Sequence, residues 1–234
     1  MGNDTMDLEQ LASYLQRDLR EVSKLASRGY LPGQKVAGQW RFHRVEINHW
    51  IETQMHAYTE QELTALEKGG GYNTDADPLI AALLAESSIA VPFVATTKAS
   101  VLRGLVHLAE QSWQVYDPAA IREAIRQREE MGSTALPSGV AIPHPRRAMP
   151  QALGESVLAY GRTATGIPFG APQGALTDMF FLVCCQDDRT HLRVLARLSR
   201  LLLRPGFIDE LRAAATPAET FQLIDSSERD LLAS

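Results

Sequence analysis

Apolar positions along this chain repeat with two different periods, and the places where the period changes lay out its elements. Leu8, Leu11, Ala12 and Leu15 fall at i, i+3, i+4 and i+7, which predicts one buried face of a helix. A second helix is expected to open at Asp18, with Glu21 in capping-box position. It turns Leu19, Val22, Leu25 and Ala26 inward and stops at Gly29. In "LPGQKVAGQWRFHR" glycines bracket turns while Trp40 and Phe42 alternate, predicting a small β-wing with both rings in the core. A third helix runs from about Arg44 and buries Ile47, Trp50 and Ile51.

Beyond residue 78 strand-like and helix-like patterns take turns. "SIAVPFVA" (88–95), "GVAI", "SVLAYG" and "TDMFFLVCC" read as strands, the last buried on both faces. Thr97 caps a helix carrying Val101, Leu102, Leu105, Val106 and Ala109, and Asp117 followed by Pro118 starts another. "THLRVLARLSRLLLR" is amphipathic, and "TPAET" (216–220) opens the last helix. The pattern predicts an α/β domain, a mixed sheet flanked by helices, behind a small winged helix-turn-helix domain.

"EKGGGYNTDADP" (67–78) separates the two, since consecutive glycines followed by Asn, Thr, Asp and Pro make a flexible connector. The expected boundaries are 1–66 for the helix-turn-helix domain, 67–77 for the linker and 78–228 for the α/β domain. The 234 residues are 45% hydrophobic and 22% charged, an ordinary globular composition. "MGNDTMDLEQ" carries no secretory signal and no apolar run spans a bilayer, so a cytoplasmic protein without membrane insertion is expected. Cys184 and Cys185 are adjacent in a strand and point to opposite faces, which excludes a shared disulfide and favours buried thiols. His43, His49 and His56 have no metal-ligand spacing with cysteine, and no metal is expected.

The net charge of −5 gives no global argument for nucleic acid, but the charge is uneven. Arg17, Arg20, Lys24, Arg28, Lys35, Arg41 and Arg44 face only Asp18 and Glu21 between residues 17 and 44. Arg20, Lys24 and Arg28 share one helix face, the placement phosphate contacts require. In "GVAIPHPRR" (139–147) two prolines hold His144 on a stiff loop just after a short apolar run.

The stretch "ASYLQRDLREVSKLASRGYLPGQKVAGQWRFHRVEINHW", within residues 6–54, resembles the excisionase/MerR-type winged helix-turn-helix family. The resemblance implies DNA binding, with Arg20 and Lys24 contacting DNA from the second helix and Lys35 and Arg41 from the wing. "RQREEMGSTALPSGVAIPHPRR" followed by "DMFFLVCCQDDRTHLRVLARLSRLL" resembles the type-2 enzyme IIA domain (fructose, mannitol and nitrogen-regulatory) of the bacterial phosphotransferase system. It covers nearly all of residues 78–226. This second resemblance implies that His144 accepts a phosphoryl group, with His191 beside it and Arg128 as the neighbouring cation. The phosphoryl group would come from phosphoenolpyruvate through an HPr-like carrier, without further cofactor; if active, the domain is a histidine phosphotransferase.

Chemistry supports that mapping. A phosphoryl acceptor must be a neutral imidazole, a nearby guanidinium disfavours the imidazolium, and the same group binds phosphoryl oxygens. The family has glycine after its active histidine where this chain has Pro145, which removes one backbone N–H; Arg146 is the candidate replacement donor. The resulting expectation is a regulator that joins a phosphorylatable domain to a DNA-binding one. The alternatives are a plain IIA carrier serving the IIB domain of a sugar permease, or a protein-binding module that is not phosphorylated.

Overall fold

The computed structural model describes residues 5–68 and 79–233. The N-terminal part carries β1 (Thr5–Met6), α1 (Leu8–Leu15), α2 (Leu19–Ser27), β2 (Gln34–Val36), β3 (Gln39–His43) and α3 (Arg44–Gln54). Asp7 caps α1 in a capping box with Gln10, and Asp18 caps α2 by accepting from the N–H groups of Arg20 and Glu21. The wing turns through Ala37 and Gly38, both at positive φ, and β3 is the central strand, antiparallel to β1 and to β2. Phe42 on β3 is fully buried with Leu11, Val22, Ile47 and Ile51, and Trp40 stacks on it with centroids 5.7 Å apart. A Cβ on Gly33 would stand 2.4 Å from the Phe42 ring, so only glycine fits where the chain enters the wing. Leu19, expected inside, is exposed, because it opens α2 ahead of the turn that packs.

Two features of this part lie outside the sequence pattern. After α3 comes a 3-10 turn at Met55–Ala57, then α4 (Glu60–Lys68), which packs on a helix of the α/β domain. Glu67 and Lys68, expected to begin the linker, are the last turn of α4, and Glu67 is buried. Residues 69–78, with the rest of that expected linker, lie outside the described residues.

The α/β domain contains α5 (Ile80–Leu83), β4 (Leu84–Ala90), α6 (Lys98–Glu110), α7 (Pro118–Glu130), β5 (Val140–Ala141), β6 (Val157–Ile167), β7 (Thr177–Cys184), α8 (Asp188–Leu203), α9 (Phe207–Ala213) and α10 (Pro217–Ala233). Sheet order is β4-β6-β7-β5, with the central pair β6/β7 antiparallel and each edge strand parallel to its neighbour. The strand expected at 88–95 begins earlier, at Leu84, and ends at Ala90, where Pro92 follows and cannot donate to a ladder. Thr97 and Asp117 cap α6 and α7 as the sequence predicts.

Alternation along the central strands assigns the two faces. Ala159, Phe180 and Leu182 pack under α6 and α7, whereas Leu158, Phe181 and Val183 pack under α8 and α10. This second core is continuous with that of the N-terminal part, so the two units share one apolar interior. Among the described residues no helix is long and apolar enough to cross a membrane.

Candidate functional site

Strand β5 sets the position of His144. Val140 and Ala141 pair with Met179 and Phe180 of β7, and the N–H of Val183 still reaches the carbonyl of Pro143 at 3.0 Å. The chain is therefore fixed to the sheet up to the residue before His144. The imidazole folds back, and its Nδ1 lies 2.7 Å from the carbonyl of Ile142. A nitrogen that close to a carbonyl oxygen carries the proton, which leaves the ring's lone pair on Nε2. His191 sits in the first turn of α8, whose N-cap Asp187 accepts from the N–H of Thr190 at 2.8 Å. Its ring stands edge-on to that of His144, with centroids 5.1 Å apart.

Arg128 lies in the last turn of α7 and donates from Nη1 to the carbonyl of Gly132 at 3.0 Å. Its neighbour Glu129 holds the following turn: its carboxylate pairs with Lys98 at 2.8 Å and accepts from the N–H and hydroxyl of Thr134. The Arg-Glu pair thus divides the work, one side chain facing the histidines and the other fixing the loop between them.

The three residues singled out in the sequence do converge, but on a fourth that sequence reasoning missed. Glu52, from α3 of the helix-turn-helix domain, places Oε2 3.1 Å from His144 Nε2 and Oε1 3.0 Å from His191 Nε2. Arg128 Nε is 3.5 Å from Oε2, and His49 Nδ1 is 3.6 Å from it. The Glu52 side chain is 2% exposed. His144, expected on an accessible loop, is buried because this domain covers it. No signal in the sequence marks Glu52: it is one acid on an amphipathic helix, and only docking gives it a role.

The electrostatics follow from burial among donors. Burial pushes the Glu52 carboxyl up, yet His144, His191 and His49 more than offset this and hold it well below the usual carboxylate range. Burial pushes His144 down, against the opposing pull of Glu52. His191 is pushed down by burial but raised further by hydrogen bonds with Cys185 and Glu52, to about 10. Both ring nitrogens of His144 face oxygens, the Ile142 carbonyl at Nδ1 and Glu52 Oε2 at Nε2, so the carboxylate stands directly across Nε2 in this arrangement.

Glu52, His144 and His191 also bring three ligating atoms within 4.8 Å of one another, a set that could hold a cation. Hydrogen bonds already satisfy those atoms, and the Arg128 guanidinium stands beside them. Next to the site a cavity of about 870 Å³ opens between α3, the 131–138 loop and α8, bordered by His49, Glu52, Arg128 and His144. Arg146 does not reach the histidine; its Nη2 donates to Glu46 of α3 at 2.6 Å and forms the rim of the contact. Arg20, Lys24 and Lys35 are exposed, away from this contact, with Lys35 Nζ 5.1 Å from the Trp40 ring centroid. Arg41 is half-buried and donates to Gln39 Oε1 at 3.0 Å. Cys184 and Cys185 are buried free thiols.

Comparison with known proteins matches residues 82–227 to the family described as phosphoenolpyruvate-dependent sugar phosphotransferase system, EIIA 2, and residues 5–55 to a helix-turn-helix domain. The fructose-specific EIIABC component of the phosphotransferase system from Bacillus subtilis is 28% identical over 152 residues. That alignment covers 64% of this chain but only 24% of the relative, so the chain spans about a quarter of that protein. The nitrogen regulatory protein of Pseudomonas aeruginosa is 30% identical over 130 residues, 55% of this chain and 82% of the relative. Among solved structures, the nitrogen regulatory protein IIA-Ntr of Neisseria meningitidis superposes with a TM-score of 0.57 at 25% identity, covering 63% of this chain and 99% of that one. The mannitol IIA of Escherichia coli, at 18% identity and a TM-score of 0.52, has the same fold.

Proposed function

Since the chain belongs to the EIIA type-2 family of the phosphoenolpyruvate-dependent sugar phosphotransferase system and carries a helix-turn-helix domain ahead of it, we propose that it is a phosphotransfer-linked DNA-binding regulator. His144 is the phosphoryl acceptor and an HPr-like carrier the donor. The observation that carries this reading is the convergence of His144, His191 and Arg128 around one anion in a pocket walled by the sheet and α8.

The chemistry needs little beyond positioning. The Nε2 lone pair of His144 attacks phosphorus as the P–N bond of the donor's phosphohistidine breaks, and that bond's electron pair leaves with the donor imidazole. Nothing is oxidised or reduced, and no water takes part. Charge on the transferring group spreads over its three equatorial oxygens, where Arg128 and protonated His191 stabilise it. The 2.7 Å bond from Nδ1 to the Ile142 carbonyl keeps Nε2 as the reacting nitrogen throughout.

Arg20 and Lys24 on α2, with Lys35 and Arg41 on the wing, are the proposed phosphate contacts to duplex DNA. Incubation with phosphoenolpyruvate, enzyme I and HPr tests the acceptor reading: wild type gains one phosphoryl mass and His144→Ala gains none. Label elsewhere, or none with a competent carrier, refutes it. A chain that takes label but binds no DNA is instead a plain carrier for the IIB domain of a sugar permease.

A further inference from the structure

Building on the phosphoryl-acceptor reading, we propose that Glu52 is a resident competitor of the phosphoryl group. Its carboxylate occupies the anion position among His144, His191 and Arg128, so phosphorylation of His144 and docking of the helix-turn-helix domain exclude one another.

Position is the first argument. A phosphorus atom bonded to Nε2 must lie nearer the ring than Glu52 Oε2, which stands at hydrogen-bond distance, 3.1 Å. The two groups therefore claim the same space. The carboxylate also stands across Nε2 and closes the line along which phosphorus would approach it. With Glu52, His144, His191 and Arg128 all nearly inaccessible, a donor protein cannot approach Nε2 in the docked state.

Valence is the second. A planar carboxylate has two oxygens, and each is taken by one histidine. Arg128 Nε and His49 Nδ1 are buried without a hydrogen-bond partner among the described residues. A phosphoryl group brings three oxygens and more negative charge, so it can satisfy the Arg128 donor that Glu52 leaves unmet. Once it is attached, the Glu52 carboxylate faces a dianion with no compensating cation of its own, and its docked position becomes repulsive.

The chain has a place to yield. α4 is pinned to α8: Glu67 accepts from Arg197 Nε at 2.6 Å and from Arg200 Nη1 at 2.8 Å, and Leu63 is fully buried. Between this anchor and α3 lie only the Met55–Ala57 turn, the extended Tyr58 and Thr59. Release at 55–59 frees the helix-turn-helix domain while α4 stays in place. Beside Glu52 the contact borders the 870 Å³ cavity rather than closed packing.

The test uses the full chain with Glu52→Ala and Glu52→Gln, the latter keeping the size of the side chain. Each protein is labelled with phosphoramidate, a small donor that needs no docking partner, and followed by intact mass and by peptide mapping of His144. Hydrogen exchange is read before and after labelling. Labelling of Glu52→Ala should be at least tenfold faster than wild type, with Glu52→Gln between them. Phosphorylation of wild type should raise exchange in 44–55 while α4 and α8 stay protected. Equal labelling rates in all three proteins overturn the competition and leave the acceptor reading intact. No label on His144 in any of them overturns the acceptor reading and this proposal with it. Unchanged exchange in labelled wild type overturns the release.

Discussion

Replacing Arg197 with methionine keeps most of the side-chain volume and removes a charge from the centre of the interface. Arg197 is fully buried and donates from Nε to Glu67 at 2.6 Å and from Nη1 to Glu228 at 2.7 Å. Arg200 holds the second oxygen of Glu67, and Glu228 also accepts from the N–H groups of Leu79, Ile80 and Ala81. Two guanidiniums and two carboxylates cancel, so Arg197→Met leaves one net negative charge in the interior. Removing one member of a buried ion pair costs about 3–5 kcal/mol. The donors that Glu67 and Glu228 retain place the loss at the lower end, about 3 kcal/mol. For a chain of this length each kcal/mol moves the melting temperature by about 2–4 °C, which gives a drop of roughly 6–12 °C by calorimetry. The double variant Arg197→Met/Glu67→Leu restores the charge balance, with Arg200 left to Glu60 at 3.9 Å and Glu228 to its three backbone donors, and should lose at least about 1 kcal/mol less than the sum of the singles. A drop under about 2 °C, or strictly additive singles, refutes the account of these four residues as one balanced cluster.

Three further outcomes can be measured. In a Glu52→Ala background, which removes the competitor, Arg128→Ala and His191→Ala should each slow phosphotransfer by about 2–4 kcal/mol of barrier, and unchanged stopped-flow rates in both would mean the site is misassigned. Arg20→Ala with Lys24→Ala should flatten the log–log salt dependence of DNA affinity by about two, at about 0.9 per lost phosphate contact; an unaltered slope removes α2 as the recognition helix. Docking should also weaken in alkali. His191 is raised from 6.5 to about 10, so its stabilisation is complete below 6.5 and is lost as pH rises toward 10. Glu52 is lowered, so its contribution holds above 4.5 and is lost only in stronger acid. Wild type should therefore lose more melting temperature than Glu52→Gln between pH 6 and pH 10, and parallel curves contradict this.

Local chemistry made much of the fold readable. Asp18, Thr97 and Asp117 announce helix starts by side-chain capping, and the apolar spacing of α1, α6 and α8 follows one face of each helix. β7 reads as buried because both of its faces are covered. What the pattern missed owes its form to tertiary contact. α4 has only Leu63 fully buried, and its other inward residue is an acid, Glu67, whose burial depends on Arg197 more than a hundred positions away. α5 is a single turn held by Glu228 from the other end of the chain. Of the site, His144 stood out through its flanking prolines, and His191 and Arg128 only through the family resemblance. Glu52 and the burial of His144 were not legible, since both arise only when two separately patterned units meet.

The anchoring of α4 bears on where this polypeptide can be divided. The run of glycines at 69–71 suggests cutting before residue 78, yet such a fragment would surrender the helix that Arg197, Arg200 and the apolar side of α8 are built to receive. It would leave Arg200 without its carboxylate and Arg197 with Glu228 alone, beside a greasy stripe opened to solvent. A fragment beginning at Tyr58 keeps its own lid. The working boundary of the EIIA half thus falls upstream of where its family match begins, and α4 belongs by sequence to one half and by packing to the other.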